Sequence, residues 1–167
     1  MTIDATSKLY PYNYRAKVLD TTDPLNLGRV KCEIYPMLIG EVTARGLVNI
    51  EGVPLAALPW AAPAFPLFNG AKGEYGFFTV PEVGSYVWVF FEGGDIYQPV
   101  YFAEAGDGVQ GLPTGRSATL TIWKTAKIEI KLDKTTGDIT VIGGGDVSVE
   151  GAGTVTIKGA TGIIELT

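Results

Sequence analysis

The feature that most constrains the fold is a short repeat that fills residues 119–167. Apolar residues recur there in pairs at alternate positions, in steps of about eight residues with a longer step after Ile130, and turn residues separate the pairs. Alternation with a period of two is typical of strands with one apolar face. We therefore interpret the segment as a solenoid of strands and turns. The repeated apolar residues are Leu120, Ile122, Ile128, Ile130, Ile139, Val141, Val147, Val149, Val155, Ile157, Ile164 and Leu166.

Strands as short as these cannot enclose a core within one chain. Each strand offers only two or three medium-sized side chains on one face, and its edges leave N–H and C=O groups unpaired. Three copies wound around a common axis would bury the apolar faces and pair the edges. We therefore predict an intertwined triple-stranded β-helix, formed as a homotrimer, with the repeated apolar residues as its trimer core.

The composition changes where this repeat begins. All prolines lie at or before Pro113, all tyrosines and phenylalanines lie at or before Phe102, and Trp123 is the one aromatic residue beyond Arg116. Such a change indicates a boundary between parts with different cores. We predict an N-terminal extension at residues 1–13, a barrel at 14–105, a linker at 106–118 and a β-helical needle at 119–167.

The first half of the sequence is also predicted to be β-structured, with no helix. Five runs rich in β-branched and aromatic residues predict a small closed barrel, of which the OB-fold is the commonest. The intervening Met37–Pro66 holds four prolines and is interpreted as a long loop that packs on a neighbouring molecule. The five predicted strands are Tyr14–Leu19, Gly28–Tyr35, Gly76–Val80, Tyr86–Phe91 and Gln98–Phe102.

Composition and charge disfavour several functions. The chain has no histidine and one cysteine, so zinc, haem and iron–sulfur sites within one chain are not expected, although a trimer could gather three copies of one ligand. A net charge of -5 disfavours general binding to nucleic acid or anionic membranes. Cys32 lies in an alternating run and is interpreted as a small strand residue. The sequence predicts neither a signal peptide nor a membrane-spanning segment.

Two other classes of function compete with a structural role. In an enzyme, paired acids such as Asp138, Asp146 and Glu150 could hydrolyse glycosidic bonds, but these residues fall at turns and outward positions. In a binding module with an OB-fold, aromatic residues such as Phe77 and Trp88 could stack on sugars or bases. No basic stripe runs beside these aromatic residues, so we favour packing and expect no catalysis and no nucleic-acid partner.

Two segments carry a resemblance to a known family. Asp23–Lys31 resembles the "D-P-x-x-x-G-R-V" strand of the phage baseplate assembly protein V family, and Gly76–Val100 resembles its "G-x-x-x-x-P-x-x-G-x-x-V-x-V-x-F-x-x-G-D-x-x-x-P-V" core. Leu58–Trp60 resembles its tryptophan-containing strand, so the likeness spans roughly residues 23–102. The matching residues are Asp23, Pro24, Gly28, Arg29, Val30, Trp60, Pro81, Gly84, Val87, Val89, Phe91, Gly94, Asp95 and Pro99.

The resemblance implies the central spike of a contractile phage tail. In that family an OB-fold barrel leads into a trimeric β-helix that closes the tail tube and pierces the host envelope. It implies a virion protein of the tail baseplate, assembled in the host cytoplasm, whose partners are a tail hub protein and, transiently, the bacterial envelope. The spike of an R-type pyocin or of a type VI secretion system stays open as an alternative.

Two departures from the family pattern affect the expected partners. Many family spikes end in a His-x-His pair that binds iron at the apex, and this chain has no histidine. We therefore expect no cofactor and either a metal-free apex or a separate small tip protein. The sequence has only about 13 residues before the first predicted strand, so we expect the hub to be a separate protein that contacts residues 1–13 and the barrel.

Overall fold

The computed structural model describes residues 10–47, 51–66, 76–106 and 113–155. The chain divides into two compact units, Met1–Gly111 and Leu112–Thr167. The helices of the described part are short, and none of them combines the length and apolar character needed to cross a membrane.

The N-terminal unit is a closed barrel of five strands. The strands are β1 (Tyr14–Asp20), β2 (Val30–Ile34), β3 (Trp60–Pro63), β4 (Tyr86–Phe91) and β5 (Pro99–Glu104). They close in the order β1-β2-β3-β5-β4, with β4 paired back to β1. Only β3 and β5 run parallel, whereas the other neighbours are antiparallel. This confirms the expectation of an all-β chain that begins with an OB-like barrel.

Alternate residues of the strands fill the barrel. Val87, Val89 and Phe91 of β4 point inward and are almost fully buried, whereas Trp88 between them is 39% exposed. This period of two is what an antiparallel sheet with one covered face requires. The core consists of Ala16, Val18, Val30, Cys32, Ile34, Ala61, Val87, Val89, Phe91 and Tyr101.

One of the five predicted strands was wrong, and a strand that only the family resemblance had indicated takes part in the barrel. Gly76–Val80 forms no strand, and Phe77 and Phe78 in it are more than half exposed. The strand that completes the barrel is instead β3 (Trp60–Pro63), which pairs with β2 and with β5 at two positions each. Its alanines and terminal proline carry little β propensity, so tertiary pairing rather than local preference makes it a strand.

The long segment before β3 packs on its own barrel. Residues 37–47 and 51–58, hereafter the covering segment, contain a one-turn helix α1 (Glu41–Ala44) and a 3₁₀ turn (Leu55–Ala57). The segment contacts the outer face of β2, so all five residues of β2 are buried. The prediction that the first half lacks helix was therefore wrong for the described residues, whereas packing of this segment on a neighbouring molecule stays a prediction.

The C-terminal unit begins as a three-stranded antiparallel sheet. The strands β6 (Leu120–Lys124), β7 (Ile128–Asp133) and β8 (Ile139–Gly143) lie in the order β6-β7-β8. A Thr125 turn joins the first pair, and a turn with Gly137 at φ 81° joins the second. Residues 144–155 follow without regular strands, and residues 156–167 lie outside the described residues.

Candidate functional site

The loop before β2, residues 23–28, is organised by a single carboxylate and is called the Asp23 loop below. Asp23 accepts hydrogen bonds from the backbone N–H groups of Leu25 (3.0 Å), Leu27 (2.8 Å) and Arg29 (3.3 Å). The Arg29 guanidinium binds the same carboxylate, with Nη2 2.6 Å from Oδ1. Bonding to this guanidinium and to the three N–H groups holds the pKa of Asp23 well below its usual range.

The same loop requires a glycine at its end. Gly28 has a φ of 74°, and a Cβ there would lie 2.9 Å from the Phe78 ring. Its carbonyl accepts a 2.7 Å hydrogen bond from the Tyr101 hydroxyl inside the barrel. Burial raises the pKa of Tyr101 to about 12, so the hydroxyl stays protonated and can donate. The loop is thereby fixed to β5 as well as to β2.

The remaining motif residues of the second segment form the turns around β4. Gly84 has a φ of 94° and donates its N–H to the Val18 carbonyl at 2.9 Å, which fastens the turn after Pro81 to β1. Gly94 is likewise in the left-handed region, at φ 77°, and Asp95 accepts a hydrogen bond from the Tyr97 N–H. Pro99 is fully buried. These residues therefore form turns and strand ends of the barrel.

The repeated apolar residues of the C-terminal unit are largely exposed in the single chain. Ile139 and Val149 are 71% and 72% exposed, and the others that are described are either exposed or half-buried. The exposed members are Ile128, Ile139, Val141, Val147, Val149 and Val155, and the half-buried ones are Leu120, Ile122 and Ile130. Ile157, Ile164 and Leu166 lie outside the described residues. The assignment of all twelve to a trimer core stays a prediction.

The register of the sheet separates these residues into two faces. Paired positions on neighbouring strands share a face, and Trp123 pairs with Ile130, which pairs with Val141. We call this side the apolar face, and it carries Thr121, Trp123, Ile128, Ile130, Leu132, Ile139 and Val141. The opposite side is the charged face, and it carries Leu120, Ile122, Lys124, Glu129, Lys131, Asp133, Thr140 and Ile142.

This separation distinguishes two of the predicted core residues from the others. The sequence treats Leu120 and Ile122 as equivalent to the later pairs, but they are paired with Asp133 and Lys131 on the charged face. The reason is that the β6–β7 turn reverses the alternation, so Trp123 rather than Ile122 lies beside Ile130. Trp123 was missed as a member of the apolar row because the repeat was traced through aliphatic residues alone.

The eight-residue step persists where regular strands end. A Cβ on Gly143 would lie 2.9 Å from a Val147 methyl, and one on Gly151 would lie 3.1 Å from a Val155 methyl. In both places a valine packs over the glycine four residues before it, and the two pairs, Gly143–Val147 and Gly151–Val155, are eight residues apart. Gly145 and Gly153 have no such neighbour.

Comparison with known families bears directly on the barrel. The family model of the type VI secretion system/phage-baseplate injector OB domain matches residues 14–104, which is more than half of the chain. The chain belongs to this family. No curated protein matches the chain.

Membership of the injector OB domain family supports a structural role of the phage-tail-spike type. The barrel geometry agrees with that role, because the motif residues hold turns and strands together. The described residues contain no group of three or more acidic, Cys or His side chains that could hold a metal ion. Burial, with a smaller effect of Glu33, raises the pKa of Cys32 to about 12, which leaves little thiolate for nucleophilic chemistry.

Two buried charges on β2 were not foreseen. Lys31 is 8% exposed, and its ammonium donates to the carbonyls of Leu55 (2.8 Å) and Ala56 (3.0 Å). Glu33 is 1% exposed and accepts hydrogen bonds from the Tyr35 hydroxyl and the Gly40 N–H. The alternation of β2 indicates outward, solvated positions for both. The covering segment contributes to the burial of both, and no local pattern reveals where that segment packs.

The aromatic residues near the N-terminus divide between packing and exposure. Tyr10 and Tyr14 pack against Phe91, with ring centroids 5.6 and 5.4 Å apart, so they close part of the barrel core. Tyr12 is 71% exposed. Contact of residues 1–13 with a hub stays a prediction, and residues 1–9 lie outside the described residues.

Proposed function

We propose that this chain is the central spike protein of a contractile phage tail. Three copies would associate, with the barrels at the base and residues 119–167 wound into a triple-stranded β-helix that forms the point. The protein would belong to the tail baseplate of the virion, after assembly in the host cytoplasm. The family model describes an injector OB domain, and the proposal goes further by assigning this chain to a homotrimeric spike in the tail baseplate.

The observation that carries the proposal is the exposure of the apolar repeat immediately after an injector-family barrel. In the single chain, Ile139 of the sheet and Val149 beyond it are both more than 70% exposed, and exposure of apolar side chains to water is unfavourable. Burial of each such side chain would stabilise the assembly by roughly 1.5–3 kcal/mol. An assembly of identical chains supplies that burial at every repeat, because each chain brings the same apolar side chains.

The mechanism would be mechanical rather than catalytic. Sheath contraction would drive the tail tube forward, and the trimer at its front would pierce the envelope and then leave the tube. Interleaved chains suit this load, since they cannot separate without breaking many hydrogen bonds together. A hub protein would hold the barrel end, and the apex would be free of metal or capped by a small tip protein.

A spike of a pyocin or a type VI secretion system would use the same geometry. The family description names both secretion and phage-baseplate injectors. Labelled antibodies against the barrel, imaged on particles from the producing cells, test the proposal. We expect label at the distal end of extended tails, whereas label along the sheath or on the capsid would contradict a spike.

A binding role of the barrel is the second candidate. Trp88 and Phe102 on its outer surface are 39% and 41% exposed, and Phe90 lies 6.0 Å from Phe102 between ring centroids. Stacking on single-stranded DNA would be revealed by a mobility shift that weakens with salt. We expect no shift, because the chain carries a net charge of -5.

A further inference from the structure

We propose that the apolar face of the β6–β7–β8 sheet is the surface that packs against the other copies, with Trp123, Ile130 and Val141 as its central row. Leu120 and Ile122 would then face solvent. This inference rests on the proposed homotrimer and assigns its contact residues.

The two faces differ in chemistry far more than in exposure. Val141 and Ile142 are neighbours on β8 and are 54% and 53% exposed, yet they lie on opposite faces. The apolar face has Thr121 as its one polar residue and carries no charge. The charged face carries the Lys124–Glu129 ion pair together with Lys131 and Asp133. The charged face is therefore well solvated when it is exposed to water, whereas the apolar face is stabilised by contact with an apolar partner.

A second copy of the chain is the occupant that fits this face. An uncharged face excludes a partner that binds through ion pairs, and it requires a surface that is equally apolar. Each further copy brings that surface at the same height, since the sheet is identical in every chain. Within the described sheet, β6 and β8 each have one edge without a neighbouring strand, so adjacent copies can also extend the hydrogen bonding.

Trp123 lies at one edge of the proposed surface. It is 63% exposed and belongs to β6, an edge strand of the described sheet that pairs with β7 alone. An indole fills more volume than the aliphatic residues of the repeat. Packing of three indoles would therefore make the prism widest here, and narrower where valines continue the repeat.

The test compares two substitutions on adjacent residues in the full chain. We expect Val141→Asp to abolish the trimer in sedimentation, because it places three carboxylates between the copies. Ile142→Asp adds the same charge to the charged face, and we expect the trimer to persist. Loss of the trimer in Ile142→Asp with retention in Val141→Asp, or an equal effect of both, would overturn the face assignment. A wild-type chain that sediments as a monomer would instead refute the proposed trimer.

A second measurement avoids buried charge and so remains informative if Val141→Asp fails to fold. Thiols introduced by Val141→Cys and Ile142→Cys are reacted with a maleimide in the native protein. The native Cys32 is 1% exposed and provides a slow internal reference. We expect protection at position 141 and rapid labelling at 142 in the trimer. Equal labelling at both positions would contradict the proposal.

Discussion

At the scale of single residues, Asp23 holds the loop that leads into β2. One carboxylate satisfies three backbone N–H groups and a guanidinium, and its side chain is only 3% exposed. Removal of such an acceptor leaves several donors without a partner, which costs more than the loss of one hydrogen bond. The family-motif residue Asp23 therefore stabilises the fold of this loop.

We expect Asp23→Asn to lower the melting temperature of the barrel by several degrees. The amide retains the size of the side chain but loses the ion pair with Arg29 and one of its two acceptor oxygens. Asp20→Asn is the matched control, because the Asp20 carboxylate accepts hydrogen bonds from the adjacent Thr22 and does not bind a guanidinium. Thermal unfolding followed by circular dichroism measures both variants, and equal melting temperatures would refute this role of Asp23.

The same carboxylate predicts a dependence of stability on pH. Because the folded-state pKa of Asp23 lies below the unfolded value of about 4, its stabilisation is fully present above pH 4 and is lost as the pH falls toward the folded pKa. Denaturant unfolding should therefore show a smaller acid-induced decrease in the free energy of unfolding for Asp23→Asn than for wild type. Parallel pH profiles would contradict the assignment.

At the scale of elements, the covering segment converts an outward face of β2 into a buried one. Lys31 fastens it, since its ammonium binds the Leu55 and Ala56 carbonyls and lies 5.1 Å from the centre of the Trp60 ring. The segment thus protects a barrel strand within the same chain.

We expect Lys31→Met to destabilise the barrel by about 1–3 kcal/mol, because two charge-assisted hydrogen bonds are lost. The amides of Ala57 and Leu58, which donate to Pro54, should then exchange faster with deuterium. Lys127→Met serves as the control, since Lys127 is an exposed residue of the C-terminal unit. Unchanged exchange at both amides would show that Lys31 does not fasten the segment.

The elements differ in how far the sequence predicts them. β4 was predicted with its exact bounds, because Tyr86–Phe91 alternates strongly and turn residues flank it. Composition and alternation did not predict β3, which the family resemblance alone indicated near Trp60, since Trp60–Pro63 becomes a strand only through its pairing with β2 and β5. The apolar repeat located β6, β7 and β8 but not their faces, because the register depends on the turn that joins β6 to β7.

At the scale of the whole molecule, the two units have different sources of stability. The barrel encloses a core of its own, whereas the C-terminal sheet leaves its apolar face open to solvent. A chain that ends after residue 118 should therefore remain folded and become monomeric. Circular dichroism together with sedimentation measures this outcome, and an unfolded or trimeric truncation would contradict it.

The association of three full-length chains is tested most directly by the mass of the purified protein at micromolar and lower concentrations. Sedimentation equilibrium should give three times the chain mass of 17.8 kDa, with no dissociation on dilution. A stable, folded species of 17.8 kDa would contradict the account, because the apolar face and the exposed repeat would then need no partner.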